Sequence, residues 1–186
     1  MLTLILGGAR SGKSRLAQKL AVPAERVTYV ATAQAAGDHD SEMAARIEHH
    51  KTHRPATWQT IEEPLALADA VERAAREADT VLVDCLTLWL SNLFWEHRTG
   101  ALGHVEDTVR TQLQRIAGTA HSQRPHVILV ANELGSGTVP EAAITRAFRD
   151  TQGLLNQWAA ELANEVILTV AGLPLYLKKN GQDIRQ

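Results

Sequence analysis

Residues 7 to 14 read Gly7-Gly8-Ala9-Arg10-Ser11-Gly12-Lys13-Ser14, a complete G-x-x-x-x-G-K-S pattern, and its flanks restrict what the chain can fold into. The apolar run Leu2-Thr3-Leu4-Ile5-Leu6 precedes it, and Arg15-Leu16-Ala17-Gln18-Lys19-Leu20 reads as a helix immediately after it. Strand, glycine loop, helix is the order in which this motif cradles a phosphate. Glycines permit backbone angles that side chains forbid, so successive N–H groups can turn inward on an anion. The helix N-terminus adds partial positive charge. In such a loop Lys13 reaches the β- and γ-phosphates and the Ser14 hydroxyl ligates Mg²⁺.

The rest of the chain continues that alternation. Strands are expected at Leu2–Leu6, Val27–Thr32, Thr80–Asp84, Val127–Ala131 and Val166–Ala171, with Trp58–Ile61 a weaker sixth. Their cores are continuous apolar runs, as in Val127-Ile128-Leu129-Val130, which suits strands covered on both faces of a parallel sheet. Between them lie helical stripes: Val71, Ala74, Ala75 and Ala78; Val105, Val109, Leu113 and Ile116; and Ile144, Phe148, Leu155, Trp158 and Leu162 on a long helix starting just after Pro140. Leu86–Phe94 also reads as helical, and His97–Gly103 as a polar loop. The expectation is one α/β domain over residues 1–186, a mostly parallel sheet flanked by helices.

Bulk properties narrow the function classes. A net charge of −2 gives no basic field for nucleic acid. Cys85 is the one cysteine, so no internal disulfide forms, which fits a reducing compartment. No signal-peptide pattern opens the chain, and no apolar stretch approaches the ~20 residues that span a bilayer. A cytoplasmic protein is the simplest expectation.

In parallel sheets ligands sit beyond the carboxyl ends of the strands. The residues to inspect are therefore Gly7–Ser14, Ala31-Thr32-Ala33, Asp84-Cys85-Leu86-Thr87, Asn132-Glu133 and Gly172. Asp84 closes the run Val81-Leu82-Val83, where a carboxylate holds Mg²⁺ or its water; it equally suits the cap of the following helix. The stretch from Asp40 to Pro55 reads as a helix capped by Asp40 or Ser41 and stopped at Arg54-Pro55. His50 lies on the side of Met43 and Ile47, whereas His49 aligns with His53. Three readings fit: a surface helix with basic residues complementing its dipole, a metal pair at His49 and His53, or a nucleophilic histidine that carries a nucleotidyl group. The nine residues Asn132 to Pro140 form a glycine-containing connection, longer than most, with Glu133 at a ligand-facing position.

Taken together, these segments resemble one family. Leu6 through Ser14, Tyr29-Val30-Ala31-Thr32-Ala33, Met43-Ala44-Ala45-Arg46-Ile47-Glu48-His49-His50 with Arg54-Pro55 and Trp58, Val83 through Trp89, and Asn132-Glu133-Leu134-Gly135 through Pro140 occur in the expected order. The chain resembles, over essentially its whole length, the bifunctional adenosylcobinamide kinase / adenosylcobinamide-phosphate guanylyltransferases of cobalamin synthesis. The glycine loop is widely shared; the Ala-Ala-Arg-Ile-x-His-His stretch joined to Arg-Pro is much more specific.

The resemblance implies a RecA-like P-loop fold, a homotrimer and two reactions. ATP or GTP phosphorylates the corrinoid adenosylcobinamide; GTP then gives GMP to a histidine, which passes it to adenosylcobinamide phosphate. That histidine maps onto His50, with His49 the alternate. Nucleotide contacts map onto Gly7, Gly8, Ala9, Arg10, Ser11, Gly12, Lys13 and Ser14, onto Ala31, Thr32 and Ala33, onto Lys51, Thr52, His53 and Arg54, and onto Glu62 and Asp84. Ser14 and Asp84 are the implied Mg²⁺ ligands. Lys51 and Arg54 stand close enough to His50 to neutralise an α-phosphate.

Overall fold

A computed structural model of the chain describes residues 1–33, 55–97, 102–122 and 125–184. In chain order the elements are β1 (Leu2–Gly7), α1 (Lys13–Ala21), β2 (Val27–Ala31), β3 (Gln59–Glu62), α2 (Leu67–Ala74), β4 (Thr80–Asp84), α3 (Leu86–Glu96), α4 (Leu102–Ser122), β5 (His126–Asn132), α5 (Ala143–Leu162), β6 (Glu165–Val170), β7 (Leu173–Lys179) and β8 (Gln182–Asp183). The strands form one sheet in the order β3-β2-β4-β5-β1-β6-β7-β8. The first six of these pair in parallel, while β7 and β8 run antiparallel as an edge extension. This is the mostly parallel α/β architecture expected of a P-loop nucleotide-binding fold.

The continuous apolar runs are explained by cover on both faces. Along β1, Leu2, Leu4 and Leu6 face one core, built with Val81, Val83, Val127 and Leu129 and covered by α2, α3, α4 and α5. Ile5 faces the other, with Tyr29, Leu82, Ile128 and Val130 under Ala17 and Ala21 of α1. The stripe Val105, Val109, Leu113 and Ile116 of α4 is fully buried, as its spacing requires.

Several expectations change. Asp84 does not cap α3: the N-cap is Cys85, without a side-chain cap bond, and the Asp84 carboxylate accepts from the Tyr29 hydroxyl at 3.2 Å. Helix α5 begins at Ala143, so Pro140 lies before its first turn, and Ile144 points to solvent. Leu102 and Gly103 belong to α4 rather than to the preceding loop. Ala75 and Ala78 are buried but lie past the end of α2. The hairpins made by β7 and β8 were not anticipated. Pro174 and the lysines obscure them, but Asn180-Gly181, both at positive φ, is a strong two-residue hairpin signal.

One partly buried histidine should make stability pH-dependent. His126 Nε2 lies 2.8 Å from Thr3 Oγ1, and burial, aided by the nearby amino-terminal charge, pushes its pKa down to about 4. The folded state keeps this ring neutral, while the unfolded chain protonates it below about pH 6.5. Its contribution is therefore intact above pH 6.5 and is lost as pH falls towards 4. Discounted for the solvent-facing part of the ring, the loss is on the order of 2 kcal/mol. Urea midpoints measured between pH 7 and 4.5 should fall for the wild type, and the fall should be smaller in His126→Gln.

Candidate active site

Register places the candidate residues along a single edge. Glu62 pairs with Ala31, Ala31 with Asp84, Gly7 with Asn132, and Gly7 with Thr169 on its other side. All are at the carboxyl ends of parallel strands. Asp84 is two strands from β1 and Glu62 four, roughly 10 and 19 Å at the usual strand spacing. Helix α1 reduces the first gap, because it leans from β1 across β5 onto β4.

The loop itself is built for an anion. Gly12 is the N-cap of α1 at φ +99°, makes no side-chain cap bond, and no acidic residue occupies the first turn. The positive end of the helix is left uncompensated, and Lys13 and Arg15 add charge of the same sign. For an isolated helix that is unfavourable; an anion reverses the sign of the interaction. A side chain at Gly12 would be strained and would meet Gly172 Cα at 3.2 Å from its Cβ. Arg10 also adopts positive φ and is exposed, as are Gly8 and Ala9.

Lys13 is only 8% exposed, and its Nζ donates to Gly8 O at 2.7 Å, which holds the ammonium over the loop. Burial lowers its pKa from the ordinary lysine value, and the negative charge of Asp84 opposes that shift. The neighbouring Cys85 thiol is pushed up to about 12, chiefly by burial. It is protonated at neutral pH and lends Lys13 no counter-charge, so Asp84 is the operative one. Cys85 is correspondingly inert as a nucleophile.

Thr32 has a structural part of its own. Its buried hydroxyl donates to Cys85 O at 2.7 Å and lies 3.0 Å from Cys85 N, which ties the ends of β2 and β4 together. Asn92 of α3 donates to Thr32 O at 2.7 Å and to Pro64 O at 3.1 Å. Ala31 O accepts from Glu63 N, and the Glu63 carboxylate takes the Leu65 and Ala66 N–H groups ahead of α2. Glu62 is exposed at the end of β3. His49, His50, Lys51, Thr52, His53 and Arg54 lie outside the described residues, in the segment between the ends of Ala33 and Pro55.

The β5 end is gripped from both sides. Asn132 N donates to Thr87 Oγ1 at 2.8 Å, Asn132 O accepts from Asn156 Nδ2 at 3.0 Å, and Glu133 N donates to Gly7 O at 3.0 Å. The Glu133 carboxylate turns back on its own loop, accepting from Gly135 N at 2.7 Å. The connection after β5 is thus tightly turned. Thr87 falls in a segment the sequence singled out, but Asn92, Asn156 and Thr169 do not, since nothing local marks a polar residue whose partner lies on another element.

Residues 3–177 match the family model of the cobinamide kinase / cobinamide phosphate guanyltransferases. The chain belongs to that family. It is 46% identical to the bifunctional adenosylcobalamin biosynthesis protein CobP of Pseudomonas aeruginosa, over 96% of this chain and 98% of the relative. It is 36% identical to the CobU protein of the same description from Escherichia coli and 37% identical to that from Salmonella typhimurium, over 96% of this chain and the whole of each relative. As a cobinamide kinase / guanyltransferase family member, the chain is an enzyme. Among the described residues no helix is long and apolar enough to cross a membrane.

Proposed function

We propose that residues 1–186 act as one catalytic domain performing both family reactions in the cytoplasm. In the first, the aminopropanol hydroxyl of adenosylcobinamide attacks the γ-phosphorus of ATP or GTP. A new P–O bond forms, the bond to the β–γ bridging oxygen breaks, and the hydroxyl proton departs. In the second, the His50 imidazole attacks the α-phosphorus of GTP and pyrophosphate leaves. The phosphate oxygen of adenosylcobinamide phosphate then displaces the imidazole, giving adenosylcobinamide-GDP. The observation that carries this reading is the loop: an uncapped helix N-terminus, Gly12 and a buried Lys13 within the field of Asp84, in a chain that matches the family over residues 3–177.

Loop N–H groups and Lys13 supply positioning and charge neutralisation, which is most of what phosphoryl transfer needs. Ser14 and Asp84 offer two hard oxygen donors, and no cluster of three or more His, Cys, Asp or Glu exists among the described residues. That donor set fits Mg²⁺, which keeps several waters and takes the rest of its shell from phosphate. When bound, Mg²⁺ neutralises phosphate charge. The homotrimer reading gains support from β7, next to the short outermost strand, whose Leu173, Leu175 and Leu177 alternate along it and are 71%, 45% and 41% exposed.

Turnover with adenosylcobinamide and each nucleotide, with products resolved by mass, tests the proposal. ATP should give only the phosphorylated corrinoid, and GTP should give the GDP conjugate with release of pyrophosphate. Phosphorylation without any conjugate under GTP would reduce the enzyme to a kinase.

A further inference from the structure

The β6–β7 hairpin is docked on the glycine loop through Thr169 of β6 and Gly172 of the turn. Thr169 Oγ1 donates to Leu6 O at 2.9 Å and lies 3.1 Å from Ser11 Oγ. A hydroxyl has one proton and a carbonyl can only accept. The Thr169 proton is therefore committed to Leu6, and in the hydroxyl pair Ser11 donates to Thr169. Both residues are buried, and Ser11 O also accepts from Gly172 N at 2.9 Å. The Ser11 side chain thus faces the sheet.

The glycines of the loop are shaped around this pair. A Cβ on Gly7 would lie 2.5 Å from Ser11 Oγ and 2.6 Å from Thr169 Oγ1, closer than atoms can approach. Gly172, at φ +82°, packs against Gly12 and under Arg15, whose Nη2 would stand 3.0 Å from a Cβ there. Entry, middle and exit of the loop each rest on the hairpin.

We propose that Thr169 is a positioning residue for nucleotide binding, holding Gly7 and Ser11 in the geometry that makes the loop N–H groups converge before the nucleotide arrives. The inference rests on the reading of the loop as the nucleotide site. Preorganisation of this kind acts on affinity, because a loop that must be ordered by its ligand binds that ligand more weakly. Thr169→Val keeps shape and β-branching but removes the donor to Leu6 and the acceptor for Ser11. Thr169→Ser retains both.

Equilibrium binding of GTP and of ATP to the purified full chain, with thermal melts of each variant, tests this. Thr169→Val should weaken both nucleotides about tenfold, the scale of a lost hydrogen-bonded pair. Thr169→Ser should stay within about twofold of wild type. Ser11→Ala removes only the loop-side partner and should weaken both nucleotides, by no more than Thr169→Val does, and the double variant should be no weaker than Thr169→Val alone, since that substitution already removes the shared contact. A purely structural hydroxyl would lower the melting temperature and leave affinity in the folded protein unchanged. Wild-type affinity in Thr169→Val, or in Ser11→Ala if the first variant does not fold, overturns the proposal while leaving the function reading standing. A wild-type chain that binds neither nucleotide overturns both.

Discussion

His50→Ala is expected to abolish covalent guanylylation while phosphorylation of adenosylcobinamide continues. With GTP labelled at the α-phosphate, wild-type protein should retain label in a P–N bond that acid cleaves and base does not. Neutral imidazole is a competent nucleophile near pH 7, and an unperturbed histidine is largely neutral there. The γ-phosphoryl transfer uses no covalent protein intermediate, so it should survive. The variant should therefore accumulate phosphorylated corrinoid and stop. His49→Ala is the informative partner: label lost there and kept in His50→Ala would move the nucleophile by one residue. Absence of label from the wild type would remove the covalent route altogether.

Lys13→Met should lower the kinase kcat about 10²–10³-fold, the usual loss when one donor to a developing negative charge is removed. The ammonium is held over the glycine loop by Gly8 O, with Asp84 as its nearby counter-charge. Methionine fills similar volume and carries no charge. Burial already works against the ammonium, so the substitution should leave the melting temperature unchanged or higher. Activity lost without stability lost is the signature of a charge kept for chemistry. A variant within tenfold of wild-type kcat would show that Lys13 is not the phosphate-facing cation.

Much of the site could be read before any coordinates because the strong signals are local. Gly12 and Lys13 are recognisable from spacing alone, since one loop conformation requires those residue types in that order. The runs at Val81–Val83 and Val127–Val130 announce buried parallel strands, and their ends locate Asp84 and Asn132. Where the sequence left a side chain's partner open, that partner was distant. Asp84 has the residue type and place of a helix cap, yet its carboxylate meets Tyr29, 55 positions away. Thr32 sits just past the end of β2, and its hydroxyl is held by Cys85, 53 positions away. Leu173, Leu175 and Leu177 alternate as a strand should, but Pro174 and the lysines hide it, and a strand near the margin of the sheet lacks the continuous apolar run of a covered one.

The amino-acid sequence by itself determined the strand–loop–helix unit, the α/β alternation and the family, because backbone permissiveness and hydrophobic period act over a few residues and leave their trace in the chain. Only the tertiary structure decided what supports the loop: Ser11 meets Thr169 across 158 residues, and Asn132 is gripped by Thr87 and Asn156 from two different helices. Such contacts depend on which strands become neighbours. Strand order is settled by the packing of the whole sheet, and a threonine that will brace a phosphate loop is, in sequence, indistinguishable from any other threonine in a strand.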